Sequence, residues 1–463
     1  MFILYHPPNS CAERLYIYEL FLQRFLGFSF QMVEEERNDL RITLKGGGDK
    51  EIVVNDIFFK KYETNWLLKE SLPKTPLEKC DIFAEIGGDF PATPVIYGEQ
   101  VTNNNFIKRE RKLIKVGIDL FGSSFYMLTR YEELVIKTRD KHNRFPAYAS
   151  LAYKEGFLHR PIVNEYLEIL WTLIKIQWPE LVRKERSSKV FLSHDVDWPL
   201  TVSKNLHKTM KSMTGDIIKR KNYLLAKDRL TSYFNLHLGK TTNDVFNTFH
   251  YLMSKSESRG FKSAFYFITD RTAGDVDGNY SIQSNWIKSL LREIHNRNHE
   301  IGLHPSYLTY QNGKQLSFEL KRLKKVCENE NIPIDEIGGR QHFLRWDPEV
   351  TWKLWNEAGL HYDSTLSYAE TPGFRCGICY EFPVFNIVTK EKLSLIERPL
   401  LVMEVSLLNK EYLSLSHNDA MEKILNIYDE CTKYNGDFTM LWHNSQLAHH
   451  NERMLYDDII QAL

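Results

Sequence analysis

Residues 190–197 read VFLSHDVD. The run Val190, Phe191, Leu192, Ser193 leads straight into His194, Asp195, Val196 and Asp197. A short apolar run bounded by polar residues reads as a buried strand. This one delivers two carboxylates, two residues apart, at its C-terminal end. Such a pair can divide labour: one carboxylate ligates a divalent metal, and the other takes a proton from water. The plainer reading is an Asx turn or a helix cap after a strand, a role Asp often fills.

The same punctuation recurs downstream. Residues 263–269 (SAFYFIT) read as a strand, and 300–303 (EIGL) as another that runs into His304, Pro305, Ser306 and Tyr307. A weak strand at 336–339 precedes Arg340, Gln341 and His342, and a last strand at 438–442 precedes His443, Asn444 and Ser445. The pattern also predicts a strand over 400–408 and a short extended stretch from 362. Helical runs fall between, at 243–255, 281–296, 315–328, 348–358 (with Pro348 in its first turn) and 417–434. This alternation argues for a parallel-sheet α/β domain, a barrel of about seven strands. Chemistry in such barrels collects at the C-terminal strand ends. Four strands that bring acid, imidazole and guanidinium groups to one rim are poorly explained by coincidence.

On that rim His304 is the best imidazole ligand, whereas His299 precedes the same strand and belongs at its opposite end. His443 suits a general acid. Arg340 would hold a carboxylate ionised or clamp a substrate. Each has a bland counterpart, a satisfied buried histidine or a structural ion pair. Trp198, Trp346 and Trp442 neighbour the same ends and either stack on a sugar face or pack. The run 362–365 shapes the cleft without chemistry assigned to it.

Outward from this half, a helical run at 164–177 ends in WPELVRKERSS (178–188), which puts a domain boundary near residue 185. The domains are then 1–185, a mixed α/β accessory domain, and 186–463. The first contains a helix at 15–26, strands at 41–44 and 51–54 around Gly46, Gly47 and Gly48, and an apolar helix at 119–134. Its Glu132–Glu133 pair reads as a helix surface or cap. No chemistry-bearing cluster stands out there.

Composition sets the outer bounds. The chain has 463 residues, 43% hydrophobic and 26% charged, an ordinary globular make-up. Lys+Arg and Asp+Glu are both 60, so the basic excess expected of a nucleic-acid binder is absent. Six Cys spread from Cys11 to Cys431 make no disulfide framework, and the single Cys376–Cys379 pair reads as reduced thiols. The N-terminal stretch lacks a secretory pattern and no apolar run reaches about 18 residues, so a cytoplasmic protein without a transmembrane segment is expected. Residues 204–221 interleave Lys204, Lys208, Lys211, Lys219, Arg220 and Lys221 with Leu, Met and Ile. That segment is either a solvated helix face or a surface for an anionic membrane or a phosphorylated lipid-linked sugar.

Taken in order, these motifs resemble the NodB-homology polysaccharide deacetylases, of the carbohydrate esterase family 4 type, from about residue 188 to the C-terminus. The whole chain resembles a bacterial subgroup found with surface-polysaccharide biosynthesis. The resemblance implies a distorted (β/α)7 barrel with a mononuclear divalent metal, usually zinc. It assigns Asp195 as base, Asp197 and His304 as metal ligands, Arg340 as the third motif and His443 as acid. The family's second motif has another histidine where this chain has Leu308, so His342, or else His194, is expected to supply the third ligand. Trp198, Tyr307 and Trp442 are the expected substrate contacts. The implied activity removes N-acetyl groups from an amino sugar in a polysaccharide or glycolipid precursor, free or lipid-linked. Two other readings stay open: hydrolysis of a different non-peptide C–N bond in the same fold, and a barrel that has lost its metal and only binds glycan.

Overall fold

The structure, a computed structural model, describes residues 1–88, 91–102, 104–202, 206–218, 221, 223–237 and 244–463. Lys204, Lys219, Arg220 and the expected helix start at Asn243 lie outside them, as does the side chain of Lys208. Two compact units form. One comprises Met1–Ser188 with Gly373–Pro399 and Glu430–Gly436; the other comprises Lys189–Pro372 with Leu400–Asp429 and Asp437–Leu463.

The first unit is built on a six-stranded mixed sheet in the order Phe30–Glu34, Phe2–His6, Asp39–Leu44, Glu51–Asn55, Leu113–Val116, Ile107–Arg109. Its strands alternate buried and half-exposed residues, as a sheet with one covered face should. The helix Ile162–Gln177 buries Ile162, Tyr166, Leu170, Leu173 and Ile174, a stripe at helical spacing. The apolar stretch expected as one helix over 119–134 is two, Leu120–Leu128 and Tyr131–Val135, broken at Arg130 in the left-handed region (φ 54). The break aims the Arg130 guanidinium at Glu132 (2.7 Å) and Glu133 (2.9 Å), and Arg375 meets Glu133 at 2.6 Å. All four side chains are buried. Glu132 and Glu133 are therefore no surface pair: they belong to a buried ion network. Cys376 and Cys379 are buried free thiols of the same unit.

The second unit carries five parallel strands: β1 (Lys189–Val196), β2 (Ser263–Phe267), β3 (Glu300–Leu303), β4 (Val402–Met403) and β5 (Asp437–Leu441), in the order β3-β2-β1-β5-β4. Crossover helices include α1 (Leu206–Ile218), α2 (Tyr223–His237), α3 (Asn285–Asn296) and α4 (Gly313–Asn329). α3 starts where the Ser284 hydroxyl caps the Ile287 N–H, and it buries Ile287, Leu290, Leu291 and Ile294. Beyond β3 the expected strand at 336–339 is reduced to single bridges from Gly339 to Leu303 and to Asp363. Among the described residues no closed sheet forms, and the seven-stranded barrel expected is not shown. At Gly339 a Cβ would lie 1.8 Å from the Leu303 carbonyl oxygen, so only glycine permits the approach. The strand expected over 400–408 also shortens: β4 is two residues, and Glu404–Leu408 turns into helix α5. The run LVMEVSLL has no strict alternation, so periodicity could not separate strand from helix there.

Candidate active site

β1 places its side chains on alternate faces. Ser193 and Asp195 share one face and meet Arg340, whose Nη2 donates to Ser193 Oγ (3.0 Å) and Nη1 to Asp195 Oδ1 (2.8 Å). Arg340 is itself fixed by the carbonyl and hydroxyl of Ser364 (2.8 and 3.0 Å). The stretch 362–365 therefore orients the guanidinium. His194 points the other way. Its Nδ1–H donates to the Trp442 carbonyl (2.8 Å), and its ring lies 4.8 Å from Phe265. Burial holds this imidazole down at about 4, hence neutral, and the structure does not bring it to the cluster.

Asp197, one residue past β1, is the hub. Its Oδ1 lies 3.2 Å from His304 Nε2 and 3.6 Å from His342 Nε2, and its Oδ2 lies 3.6 Å from His443 Nε2. Burial alone would raise this carboxyl. The imidazoles of His342, His304 and His443 instead hold it well below the usual carboxylate range. Asp195 Oδ2, the oxygen left free by Arg340, stands 3.7 Å from His304 Nε2.

Each histidine is anchored through its other nitrogen. His304 Nδ1–H donates to the Arg340 carbonyl (2.5 Å), and His342 Nδ1–H donates to Asp277 Oδ1 (3.0 Å). Because a carbonyl and a carboxylate accept, both Nδ1–H groups are already engaged, and each ring turns its Nε2 toward Asp197, where it can offer a lone pair to a cation. Asp277 is placed by backbone: it accepts from Tyr307 N–H and Ala273 N–H (both 2.6 Å). The next residue, Gly278 (φ 76), passes so near the Asp197 carbonyl that a Cβ would sit 2.1 Å away. His443 Nδ1 meets Glu404 Oε1 at 2.5 Å, and its own N–H donates to the same oxygen (3.0 Å). Burial pushes His443 down, but Glu404 and Asp197 outweigh it and raise the imidazole to about 10.

Asp197, His304 and His342 thus form a candidate metal site, their ligand atoms all within 4.8 Å of one another. The fit rests on Asp197 Oδ1, which is buried yet makes no hydrogen bond. A buried carboxylate oxygen faced by two imidazole Nε2 atoms whose Nδ1–H groups are anchored is a donor set that suits a divalent cation with an open position.

The remaining expected residues divide. Trp198 is 36% exposed, and Tyr307 is half-buried with its ring stacked over the Arg345 guanidinium at 4.0 Å. Trp442 is wholly buried, edge-on to Tyr456 at 5.3 Å; it packs the sheet and presents no face to a sugar, which corrects the expectation for it. Trp346 likewise packs against Trp352. Leu308 lies half-exposed in the turn after His304 and takes no part in the cluster. Sequence reasoning missed Asp277 and Glu404. An acid within the apolar run 400–408 was the available signal for Glu404, because a buried charge demands a partner.

Residues 2–179 match a family of unknown function, DUF7033. No curated protein matches the chain. Among solved structures it is similar to one described as a polysaccharide deacetylase from Mycobacterium smegmatis, with 15% identity over 60% of this chain and 84% of that one and a TM-score of 0.39. Another, described as a polysaccharide deacetylase from Pseudomonas aeruginosa PAO1, shares 12% identity over 60% and 84% of the two chains (TM-score 0.35). The Puue allantoinase shares 11% identity over 60% and 83% (TM-score 0.36).

Proposed function

We propose that the second unit is a metal-dependent hydrolase of the NodB type that removes an N-acetyl group from an amino sugar of a polysaccharide or glycolipid precursor. The observation that carries this reading is the arrangement around Asp197: a carboxylate fixed by an arginine on one side and an imidazole fixed by a glutamate on the other, with a three-ligand donor set between. A binding barrel needs no such base and acid.

Asp197, His304 and His342 would hold a divalent cation such as zinc, which supplies Lewis-acid polarisation of an acyl oxygen and of water. Asp195 accepts the proton of the attacking water at Oδ2, while Arg340 fixes its Oδ1. His443, protonated at neutral pH, donates from Nε2 to the departing amine while Glu404 holds Nδ1–H. Trp198 and Tyr307 offer aromatic surface to the sugar. The products are acetate and a free amino sugar.

Metal content of the purified protein tests this directly, wild type beside Asp197→Ala, His304→Ala and His342→Ala. About one equivalent of zinc in the wild type, lost in all three variants, is expected for a three-ligand site. Acetate release from N-acetylated oligosaccharides should then fall to background in the same variants. A wild type that binds no metal after reconstitution sinks the mechanism. Ring opening of a cyclic amide without acetate release would retain the site and replace the substrate.

A further inference from the structure

The hairpin of α1 and α2, which follows β1, exposes large apolar side chains. The two helices pack against each other. Among the described side chains, those buried are Thr209 and Asp216 on α1 and Ala226, Arg229 and Ser232 on α2. Asp216 and Arg229 form a buried ion pair at 2.5 Å, and Arg229 also donates to the Thr201 carbonyl, which ties the hairpin to the loop just after Asp197. Six large apolar side chains among the described ones face outward. Met210, Ile217, Ile218, Leu224, Leu230 and Phe234 are between 39% and 74% exposed. Single exposed apolar residues are ordinary, but several large ones on one short hairpin mark an interaction surface.

Charge chooses the occupant. Residues 204–240 contain nine Lys or Arg and two Asp, in a chain whose net charge is zero. Lys211, Lys221 and Lys227 are exposed among the apolar side chains. A second copy of this surface would set like charges against each other. A nucleic acid would meet Ile, Leu and Phe where it needs cations. An anionic lipid surface satisfies both features: apolar side chains enter the acyl boundary while lysine stems snorkel to the phosphates. Helices of 13 and 15 residues are too short to cross a bilayer, so they would lie in its plane. We propose that the α1–α2 hairpin docks this protein onto an anionic membrane surface through its outward apolar face and its lysines. The inference stands independently of the catalytic reading.

Co-sedimentation of the full-length protein with vesicles tests it. Phosphatidylglycerol–phosphatidylcholine vesicles should bind it about tenfold more strongly than pure phosphatidylcholine, and raised salt should weaken the binding. The exposed-site variant Ile218→Glu/Leu224→Glu/Phe234→Glu and the charge variant Lys211→Glu/Lys227→Glu should each abolish the difference with an unchanged Tm. Absence of binding to either vesicle, or equal binding to both, overturns the proposal. So does a self-associating wild type whose dimer, without vesicle binding, is broken by the apolar triple variant.

Discussion

Glu404 decides what His443 can do. It accepts both the Nδ1–H and the backbone N–H of that residue, so it fixes the ring's position and its tautomer together. Glu404→Gln keeps the shape and an accepting oxygen but removes the charge that favours imidazolium. Acetate-release kinetics should show kcat lowered about 100-fold, the size of a general acid–base contribution, with metal content and Tm unchanged. A wild-type kcat in that variant ends the positioning role. Asp277 plays the equivalent part for His342. Asp277→Asn should weaken zinc binding about 10–100-fold in chelator competition, and unaltered affinity would show that the Asp277 contact is incidental. The two residues differ in how they could be read. The acids and imidazoles that end apolar strands are visible in sequence because the strand supplies the context. Asp277 ends a short 3-10 helix, Gly274–Asp277, and backbone N–H groups of Ala273 and Tyr307, with the close passage of Gly278 along Asp197, set it against His342. No periodicity records such a contact.

Among elements, the parallel strands were the most legible, since continuous apolar runs such as SAFYFIT signal burial on both faces. Those that failed did so for local reasons. The stretch 336–339 ends in two glycines, and it pairs through a single residue because a ladder needs side chains to pack on either face. That single bridge nevertheless positions the chemistry. Gly339 is squeezed between Leu303 and Asp363, and the next residue, Arg340, leaves it toward Asp195. Gly339→Ala places a methyl into the Leu303 carbonyl. The overpacking should cost about 1–3 kcal/mol, which at about 2–4 °C per kcal/mol lowers Tm by several degrees in calorimetry. It should also lower activity by moving the Arg340 guanidinium. A variant as stable as wild type would show that the backbone there relaxes freely. The helix break at Arg130 belongs to the same class: 119–134 is apolar enough for one helix, and the buried Arg130 with the distant Arg375 explains why two glutamates are turned inward.

At the scale of the whole chain, the first unit is discontinuous, and nothing in composition announces that. Residues 373–399 complete its interior. Phe385 lies against Tyr16 and Phe125 at 5.0 and 5.3 Å between ring centres, and Tyr380 against Phe25 at 5.0 Å. Arg375 neutralises Glu133, whose carboxyl burial would raise but which Arg375 and Arg130 hold below its ordinary 4.5. A depressed carboxyl stabilises the folded state fully above its unfolded value and ceases to do so as pH falls through the folded one, so this contribution is lost only in acid. Leaving Glu133 buried without one of its two arginines should cost about 3–5 kcal/mol. Arg375→Met in the full chain should therefore lower the urea midpoint at pH 7 markedly and by less in acid, where the protonated Glu133 no longer requires a cation. A fragment of residues 1–188 loses this arginine together with Phe385 and Tyr380. It should unfold without a cooperative transition and lack the near-ultraviolet circular dichroism of packed aromatic rings. A fragment that unfolds cooperatively with native aromatic signals would mean that the sheet and the helix Ile162–Gln177 suffice, and that residues 373–399 only cover a core already formed.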